Sequence, residues 1–220
     1  MYRLATNPGV SFGLIEGRVV FLDTGRDRYA ALPADLERGF ADIVALGGQV
    51  EPQAPTTRRL LDTGLFHLGT GSQMLRPLDR ALPSHGLEHA RRRLSAIDLA
   101  QVWRLVAEAR RMVRTRPFAS MFNDPAIDRR HLTAAKPIAA LAELARRFNH
   151  ARALVPIAPN CLSDSLALRH WLARRGHRCD LVVAARLEPF AAHCWIEAQG
   201  IVLNDRPERI ATFVPIAVSQ

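Results

Sequence analysis

The chain has 220 residues, of which 48% are hydrophobic and 23% charged, so its composition is that of a folded protein and excludes general disorder. The formal net charge of +9 arises almost entirely in residues 83–152, which carry 14 basic and 6 acidic residues. A basic block can bind nucleic acid, but a solvated arginine face on helices is the simpler interpretation. No apolar run has the length of a membrane span, and the N-terminus lacks a signal-peptide core. With three cysteines and no secretion signal, we expect reduced thiols in the cytoplasm.

The first elements predicted along the chain are three short β-strands between Ser11 and Leu32. Two helices follow, the first ending at Gly47 and the second reaching about Leu61. Three strands followed by helices predict a small winged-helix-like module over residues 1–70. No catalytic constellation is visible in this module, so its expected role is binding.

Residues 71–94 are predicted to be a linker, because scattered Gly and Pro residues disfavour long regular structure. The second predicted domain spans residues 95–220. It begins with a long amphipathic helix that ends before Pro117, and a further helix is predicted from about Pro137 to Asn149. The remaining loop leads to the cysteine described next.

The stretch from Asn160 to His170 places a cysteine at the start of a helix. Cys161 follows a proline-rich loop and precedes apolar residues at helical spacing, and Gly176 ends the helix. Unpaired N–H groups and the positive end of the helix dipole favour a thiolate at such a position and can hold an oxyanion. A small buried core residue is the alternative for any single cysteine. His170 and His177, near the helix end, are expected to be solvated.

A histidine and an aspartate follow the Cys161 helix at a suggestive spacing. Three strands are predicted between Cys179 and Asn204, and the turn around Gly200 would set His193 and Asp205 side by side. Helices followed by an antiparallel sheet predict an α+β domain. The order Cys, His, Asp supplies a nucleophile, a base and a carboxylate that orients the base.

Two runs of sequence resemble the B proteins of lasso-peptide biosynthesis, which are leader peptidases with a papain-related, transglutaminase-like fold. The runs are CLSDSLALRHWLARRGHRCDLVVAAR and FAAHCWIEAQGIVLND. The resemblance covers about residues 150–215 and implies that Cys161 is the nucleophile, His193 the base and Asp205 the orienting acid. It implies hydrolysis of the last leader amide of a precursor peptide, and transfer of the core to an asparagine-synthetase-like cyclase. Maturation as a whole would consume ATP, although the chain has no recognisable motif for ATP or another cofactor.

Two positions near the predicted site depart from the family pattern. Cys194 replaces the usual alanine after the histidine, and we expect it to pack in the core, with oxidative pairing to Cys161 as the alternative. Asn160 replaces a residue that is often basic, and its side chain is a candidate oxyanion donor. A second oxyanion donor is not identifiable from the sequence.

The N-terminal module is similar to the small PqqD-like proteins, in the runs GRVVFLDTGRDRYAALP and LLDTGLF. This similarity implies a fused recognition element that binds the leader as an added strand at an exposed sheet edge. The candidate contact residues lie on the third predicted strand and on the second helix: Arg28, Tyr29, Ala30, Leu32, Arg58 and Leu61.

Three other functions fit part of this pattern. A transglutaminase-like acyl transferase would use the same triad with an amine in place of water. A non-catalytic module could bind peptide, or could bind nucleic acid through the basic block. The spacing of Cys, His and Asp argues against a non-catalytic function. A metal site built from Cys161, His193 and Cys194 is disfavoured, because neighbouring residues of a strand point to opposite faces. We therefore expect no metal ion. Because no apolar run has the length of a membrane span, we also expect no membrane association.

Overall fold

The computed structural model of the chain divides into two compact units, Met1–Asp79 and Arg80–Gln220. The structure describes residues 2–70, 75–87, 94–124, 127 and 137–219. Each unit has its own hydrophobic core, as expected of an independently packed domain.

The first unit contains six strands and two helices within its described residues. They are β1 (Tyr2–Thr6), β2 (Val10–Ile15), β3 (Arg18–Asp23), β4 (Arg28–Ala31), α1 (Ala34–Ala45), β5 (Gln49–Val50), α2 (Pro55–Asp62) and β6 (Phe66–Gly69). Strands β2, β3 and β4 form one antiparallel sheet, and β5, β1 and β6 form a second. The first sheet and both helices are as predicted, whereas the second sheet is an addition to the predicted module. Its pairs, such as Arg3 with Gly69, join residues far apart in the sequence and leave no local signal.

Four phenylalanine rings fill the core of the first unit, with neighbouring centroids 5.2–5.6 Å apart. Phe12 and Phe21 are directly opposed on β2 and β3, Phe40 enters from α1, and Phe66 enters from β6. Burying each such ring is worth about 1.5–3 kcal/mol, so this cluster stabilises the packing of the two sheets against α1.

The second unit contains five helices and five strands in its described part. They are β7 (His85–Gly86), α3 (Ala96–Thr115), α4 (Phe118–Phe122), α5 (Ile138–Leu154), α6 (Cys161–Ala173), β8 (Asp180–Arg186), β9 (Ala191–Ala198), β10 (Ile201–Val202), α7 (Pro207–Ile210) and β11 (Val214–Val218). The sheet has the order β11-β8-β9-β10-β7, with only the β10–β7 pair parallel. The α+β pattern of long helices before an antiparallel sheet agrees with the sequence prediction.

Helix α6 is the centre of the second unit. It packs against α3 and α5 on one side and against β8 and β9 on the other. Leu168, Trp171 and Leu172 are therefore fully buried. On the opposite face of the sheet, Trp195 and Phe213 belong to a second apolar cluster that α7 covers. The sequence predicted one inward stripe on α6, but the helix is buried on most of its circumference.

The two histidines near the end of α6 are not solvated, contrary to the sequence prediction. His177 is only 5% exposed. His170 Nε2 lies 3.2 Å from Asp124 Oδ2, and both side chains are largely covered. Burial lowers the pKa of His170, against the opposing attraction of Asp124. The sequence around α6 did not reveal this burial, because the segments that cover the two histidines are distant in the chain.

The predicted linker at residues 71–94 is partly incorporated into the two units. Leu75 is buried in the core of the first unit, and the Leu78 amide donates to the Phe12 carbonyl at 2.8 Å. In the second unit, Arg80 forms 2.6 Å ion pairs with Asp180 and Glu197, and β7 pairs with β10. Residues 71–74 and 88–93 of the predicted linker lie outside the described residues.

Helix α5 extends five residues beyond the predicted end at Asn149. Its last turn includes Arg152, and the loop to Cys161 is correspondingly shorter than predicted. Among the described residues, no helix combines the length and apolarity required to cross a membrane.

Candidate active site

Cys161 is the first residue of α6, as the sequence predicts. Asn160 is the N-cap, and its side-chain oxygen accepts a hydrogen bond from the Ser163 amide at 3.0 Å. This cap fixes the first turn, and such caps typically contribute about 1 kcal/mol. Cys161 is partly exposed, while Ser163 is fully buried. The partly exposed cysteine therefore lies at the positive end of a well-capped helix.

A buried arginine holds the loop that leads to Cys161. Arg152 Nε donates to Asp164 Oδ1 at 2.8 Å, and Arg152 Nη2 donates to the Ile157 carbonyl at 2.9 Å. The second oxygen of Asp164 accepts from the Asn160 amide at 3.2 Å. These contacts connect α5, the loop and the first turn of α6, and they also neutralise a carboxylate close to the cysteine. Sequence reasoning missed Arg152 because it lay between the predicted helix end at Asn149 and the loop before Cys161, and no local pattern indicates its partners.

His193 and Asp205 come together on the sheet side of the site. The β9–β10 turn has positive φ at Gln199 (50°) and Gly200 (78°), as two-residue hairpins prefer, and it returns the chain alongside β9. His193 Nε2 is in hydrogen-bond contact with Asp205 Oδ2. The Asp205 Oδ1 atom accepts from the Arg206 amide at 2.8 Å. Because Nε2 is occupied, Nδ1 is the ring nitrogen available to Cys161.

The His193 ring is held by aromatic neighbours as well as by Asp205. Its centroid lies 5.1 Å from that of Phe213 and 6.1 Å from that of Trp195. Phe213 contributes to the site without a sequence motif that could have identified it, since it lies in the segment between α7 and β11. Packing on both sides restricts rotation of the imidazole, which helps to keep one nitrogen directed at the carboxylate.

The electrostatics of the site favour a thiolate and an imidazolium. Hydrogen bonds from the Cys194 thiol and from His193, together with the charge of His193, lower the pKa of Cys161 to about 4 despite burial. Burial alone would lower the pKa of His193, but hydrogen bonds and charges from Asp205 and Cys161 raise it to about 9. Burial opposes the ionisation of Asp205, yet the hydrogen bond with His193 leaves its pKa below the ordinary value. Such a charged pair can supply a nucleophile and a proton donor.

Cys194 is buried, consistent with the expected packing role, but it also hydrogen-bonds to Cys161. The Cys161 bond and burial together raise the pKa of Cys194, so it stays a neutral thiol. Cys179 is buried as well, and burial raises its pKa to about 12. All three cysteines are free thiols.

A groove of about 1230 Å³ runs beside the Cys161 loop and Asp205. Its walls come from the end of α5, the loop before Cys161, and the segment from Leu203 to Arg209. Arg146, Arg206 and Arg209 contribute positive charge, and Leu203 and Ile157 contribute apolar surface. A groove of this size can hold several residues of an extended peptide.

The predicted peptide-binding residues of the first unit lie on two elements. Among the described residues, strand β4 pairs with β3 alone, which makes it an edge strand of that sheet. Arg28 and Arg58 are exposed, and Tyr29 and Ala30 are partly exposed. The other two candidates, Leu32 and Leu61, face the core, and their side chains are therefore less accessible to a peptide. Leu32 is 3% exposed, and Leu61 packs against the core.

Three sequence-predicted features concern metal and anion binding. No group of three His, Cys, Asp or Glu side chains suited to a metal ion occurs in the described part of the chain. His193 lies beside Phe213 and Cys194 is buried, but both side chains hydrogen-bond to Cys161. The Asn160 carboxamide oxygen is used as the helix cap, so an oxyanion role would fall to its amino group.

Residues 103–218 match the family profile described as the transglutaminase-like superfamily, which is more than half of the chain. The chain therefore belongs to the transglutaminase-like superfamily. It is also 42% identical over 48 residues to the microcin J25-processing protein McjB of Escherichia coli. That similarity spans 22% of this chain and 23% of the relative, so it covers less than a quarter of either protein. No solved structure matches the chain.

Proposed function

We propose that the chain is a cysteine peptidase that removes the leader from the precursor of a lasso peptide. The observation that carries this proposal is the meeting of Cys161, at the N-terminus of α6, with the His193–Asp205 pair on the sheet. The transglutaminase-like superfamily includes thiol chemistry of this kind, and the partial similarity to a processing protein of a microcin favours peptide processing over other uses of the fold.

In the proposed reaction, the Cys161 thiolate attacks the carbonyl carbon of the last leader residue. The oxyanion that forms is held by the Cys161 amide at the helix N-terminus, with the Asn160 amino group as the candidate second donor. His193 then donates its proton to the leaving amine, which releases the core peptide. Water, deprotonated by His193, hydrolyses the thioester and releases the leader. Asp205 stabilises the imidazolium and keeps the ring in one orientation throughout.

The first unit is proposed to be a fused PqqD-like, winged-helix-like recognition module. Its open β4 edge offers backbone groups to a leader segment that adds as a further strand. Arg28 and Arg58 are the exposed residues proposed to contact that segment. Tethering a leader-binding module to the peptidase raises the effective concentration of the scissile bond.

The groove beside Asp205 is proposed to receive the residues around the cut. The released core would pass to an asparagine-synthetase-like cyclase, which would use ATP. The free thiols of all three cysteines are compatible with a cytoplasmic place of action.

The proposal is tested by incubating the full-length protein with its precursor peptide, the cyclase and ATP, followed by mass spectrometry of the peptides. Cys161→Ala removes the sulfur that attacks the amide, whereas Cys179→Ala removes a buried thiol remote from His193 and serves as the matched control. We expect leader release with the wild type and with Cys179→Ala, and none with Cys161→Ala.

Leader release by Cys161→Ala at the wild-type rate would refute the proposed nucleophile. Running the reaction in ¹⁸O-labelled water separates hydrolysis from acyl transfer. One ¹⁸O atom in the new leader carboxylate indicates hydrolysis. A leader joined to an amine would instead favour the transglutaminase-like acyl transferase.

A further inference from the structure

The Asn204 carboxamide joins the three elements that carry Cys161, His193 and Asp205. Its Oδ1 atom accepts from the Ile196 amide of β9 at 2.7 Å. Its Nδ2 atom donates to the Ser165 hydroxyl of α6 at 2.9 Å. Asn204 is itself the residue before Asp205, so one side chain contacts the strand of the histidine and the helix of the cysteine.

The residue before Asn204 is fixed in the same way. The Leu203 amide donates to the Ile196 carbonyl at 2.8 Å, and the Leu203 carbonyl accepts from Asn149 Nδ2 at 2.7 Å. Strand β10 has already ended at Val202, so regular pairing in the sheet does not position Asp205. The position of the carboxylate therefore depends on these hydrogen bonds and on those of the Asn204 carboxamide.

Ser165 gives the bond to α6 a defined geometry. Its side chain is fully buried one turn after Cys161, and its hydroxyl donates to the Cys194 carbonyl at 3.4 Å while accepting from Asn204. A buried hydroxyl without partners is costly, so this arrangement resists displacement. Cys194 is the residue after His193, and the network thus closes between the helix and strand β9.

We propose that Asn204 is a positioning residue that sets the Asp205 carboxylate against His193 and keeps β9 in register with the N-terminal turn of α6. This inference rests on the proposed function, in which His193 pairs with Cys161. Asn204 lines the groove, but both polar atoms of its carboxamide are bonded within the protein. It acts through Asp205, whose oxygen must stay in contact with the imidazole, and a displacement of about 1 Å is enough to cost about 10²-fold in rate.

The test measures the reactivity of Cys161 separately from peptide cleavage. The full-length protein is alkylated with iodoacetamide at a series of pH values, and the modification is followed by mass spectrometry of the tryptic fragment 153–169, whose only cysteine is Cys161. The variants are Asn204→Ala, which removes both bonds of the carboxamide, and Ser165→Ala, which removes the bond from Asn204 to α6 together with the bond from Ser165 to the Cys194 carbonyl. Ile216→Ala, a buried change on β11, is the control for general loss of stability.

In the wild type, alkylation of Cys161 should remain fast down to about pH 4, where the thiolate becomes protonated. Loosening Asp205 weakens the imidazolium, so Asn204→Ala should move this midpoint upward by about one pH unit, a tenfold change in the protonation equilibrium. Leader release should fall by about 10²-fold in kcat with an unchanged KM. Ser165→Ala should shift the same midpoint in the same direction by a smaller amount, and Ile216→Ala should leave it unchanged.

An Asn204→Ala profile that superimposes on the wild-type profile, with leader release intact, overturns the positioning role and leaves the peptidase proposal standing. A shifted Asn204→Ala profile in a protein whose wild type releases no leader supports the positioning role and refutes the peptidase proposal. If Asn204→Ala does not fold, an unshifted Ser165→Ala profile overturns the inference, and a shifted one supports it.

Discussion

The two units of this protein bury different kinds of side chains. The core of the first unit is built around a cluster of phenylalanine rings. Among its described residues, the buried polar side chains are those of Asp23, Thr24 and Thr57. In the second unit the buried polar set is larger and includes charged and titratable groups: Asp98, Ser163, Ser165, Arg169, His177, His193, Glu197 and Ser219. Burying such groups costs free energy unless each is paired, which requires a specific network.

This difference indicates that precise geometry matters more for the function of the second unit than for that of the first. An apolar core tolerates exchange of similar shapes, and the exposed β4 edge needs only its backbone to pair with a peptide. The second unit instead connects Cys161, His193 and Asp205 through hydrogen bonds whose partners come from three segments, namely α6, β9 and the segment after β10. Substitutions in the second unit should therefore change chemistry, and substitutions in the first unit should change stability or binding.

The largest expected effect follows from His193→Ala. Without the imidazolium, the pKa of Cys161 should rise from about 4 towards that of an ordinary thiol, so alkylation at pH 6 should become slow. Leader release should fall by about 10⁴-fold, the loss typical of a disrupted triad. Both rates are measured by mass spectrometry. Alkylation that remained fast at pH 6 would show that the helix terminus and the Cys194 thiol are sufficient to create the thiolate.

The next prediction concerns the pH dependence of leader release by the wild-type protein. Cys161 is a thiolate above about pH 4, and His193 is an imidazolium below about pH 9, so the rate should be high between these limits. It should fall at lower pH as the thiolate is protonated and at higher pH as the proton donor is lost. In Asp205→Asn the upper limit should move to lower pH, because the carboxylate no longer raises the pKa of His193. An unchanged upper limit would exclude His193 as the proton donor.

The next largest effect compares one core substitution in each unit. Phe40→Ala in the first unit and Phe148→Ala in the second should each cost about 3–5 kcal/mol of unfolding free energy, because both rings are almost fully buried. Phe40→Ala should weaken leader binding and leave alkylation of Cys161 unchanged. Phe148→Ala should alter alkylation, since the ring packs on Trp171 of α6. Denaturant unfolding and peptide-binding isotherms check both, and equal effects on alkylation would contradict the division of roles.

A smaller effect compares two ion pairs. Arg152→Met leaves Asp164 without its partner where the two side chains are only 12% and 17% exposed, and should cost about 3 kcal/mol. Arg59→Met breaks a pair with Asp35 in which both side chains are more than half exposed, and should leave the unfolding free energy nearly unchanged. Chemical denaturation measures both, and comparable losses would show that burial is not what gives the Arg152 pair its value.

The smallest effect is expected from Cys194→Ala. A neutral thiol is a weak hydrogen-bond donor, so the charged imidazolium should contribute more to the low pKa of Cys161. The midpoint of Cys161 alkylation should move upward by less than about one pH unit, and leader release should change by less than about threefold. A shift of several pH units would instead make the Cys194 thiol the principal partner of Cys161.

Local patterns in the sequence were sufficient to predict several elements. Apolar spacing after Asn160 predicted α6 with Cys161 at its start, and the Gly200 turn predicted the hairpin that brings Asp205 to His193. The alternating residues of the first unit predicted β2, β3 and β4. Each of these features depends on contacts within a few residues, so propensity and periodicity record it.

The remaining features were decided by tertiary structure. The second sheet of the first unit pairs Arg3 with Gly69, and Arg80 reaches Glu197 across the second unit. The burial of His170, the contact between Cys194 and Cys161, and the bonds of Asn204 likewise join segments that are distant in sequence. The amino-acid sequence by itself therefore predicted the candidate catalytic residues and determined on which elements they lie. Their distances and protonation states came only with the folded chain, because burial and hydrogen bonding depend on neighbours that no local pattern specifies.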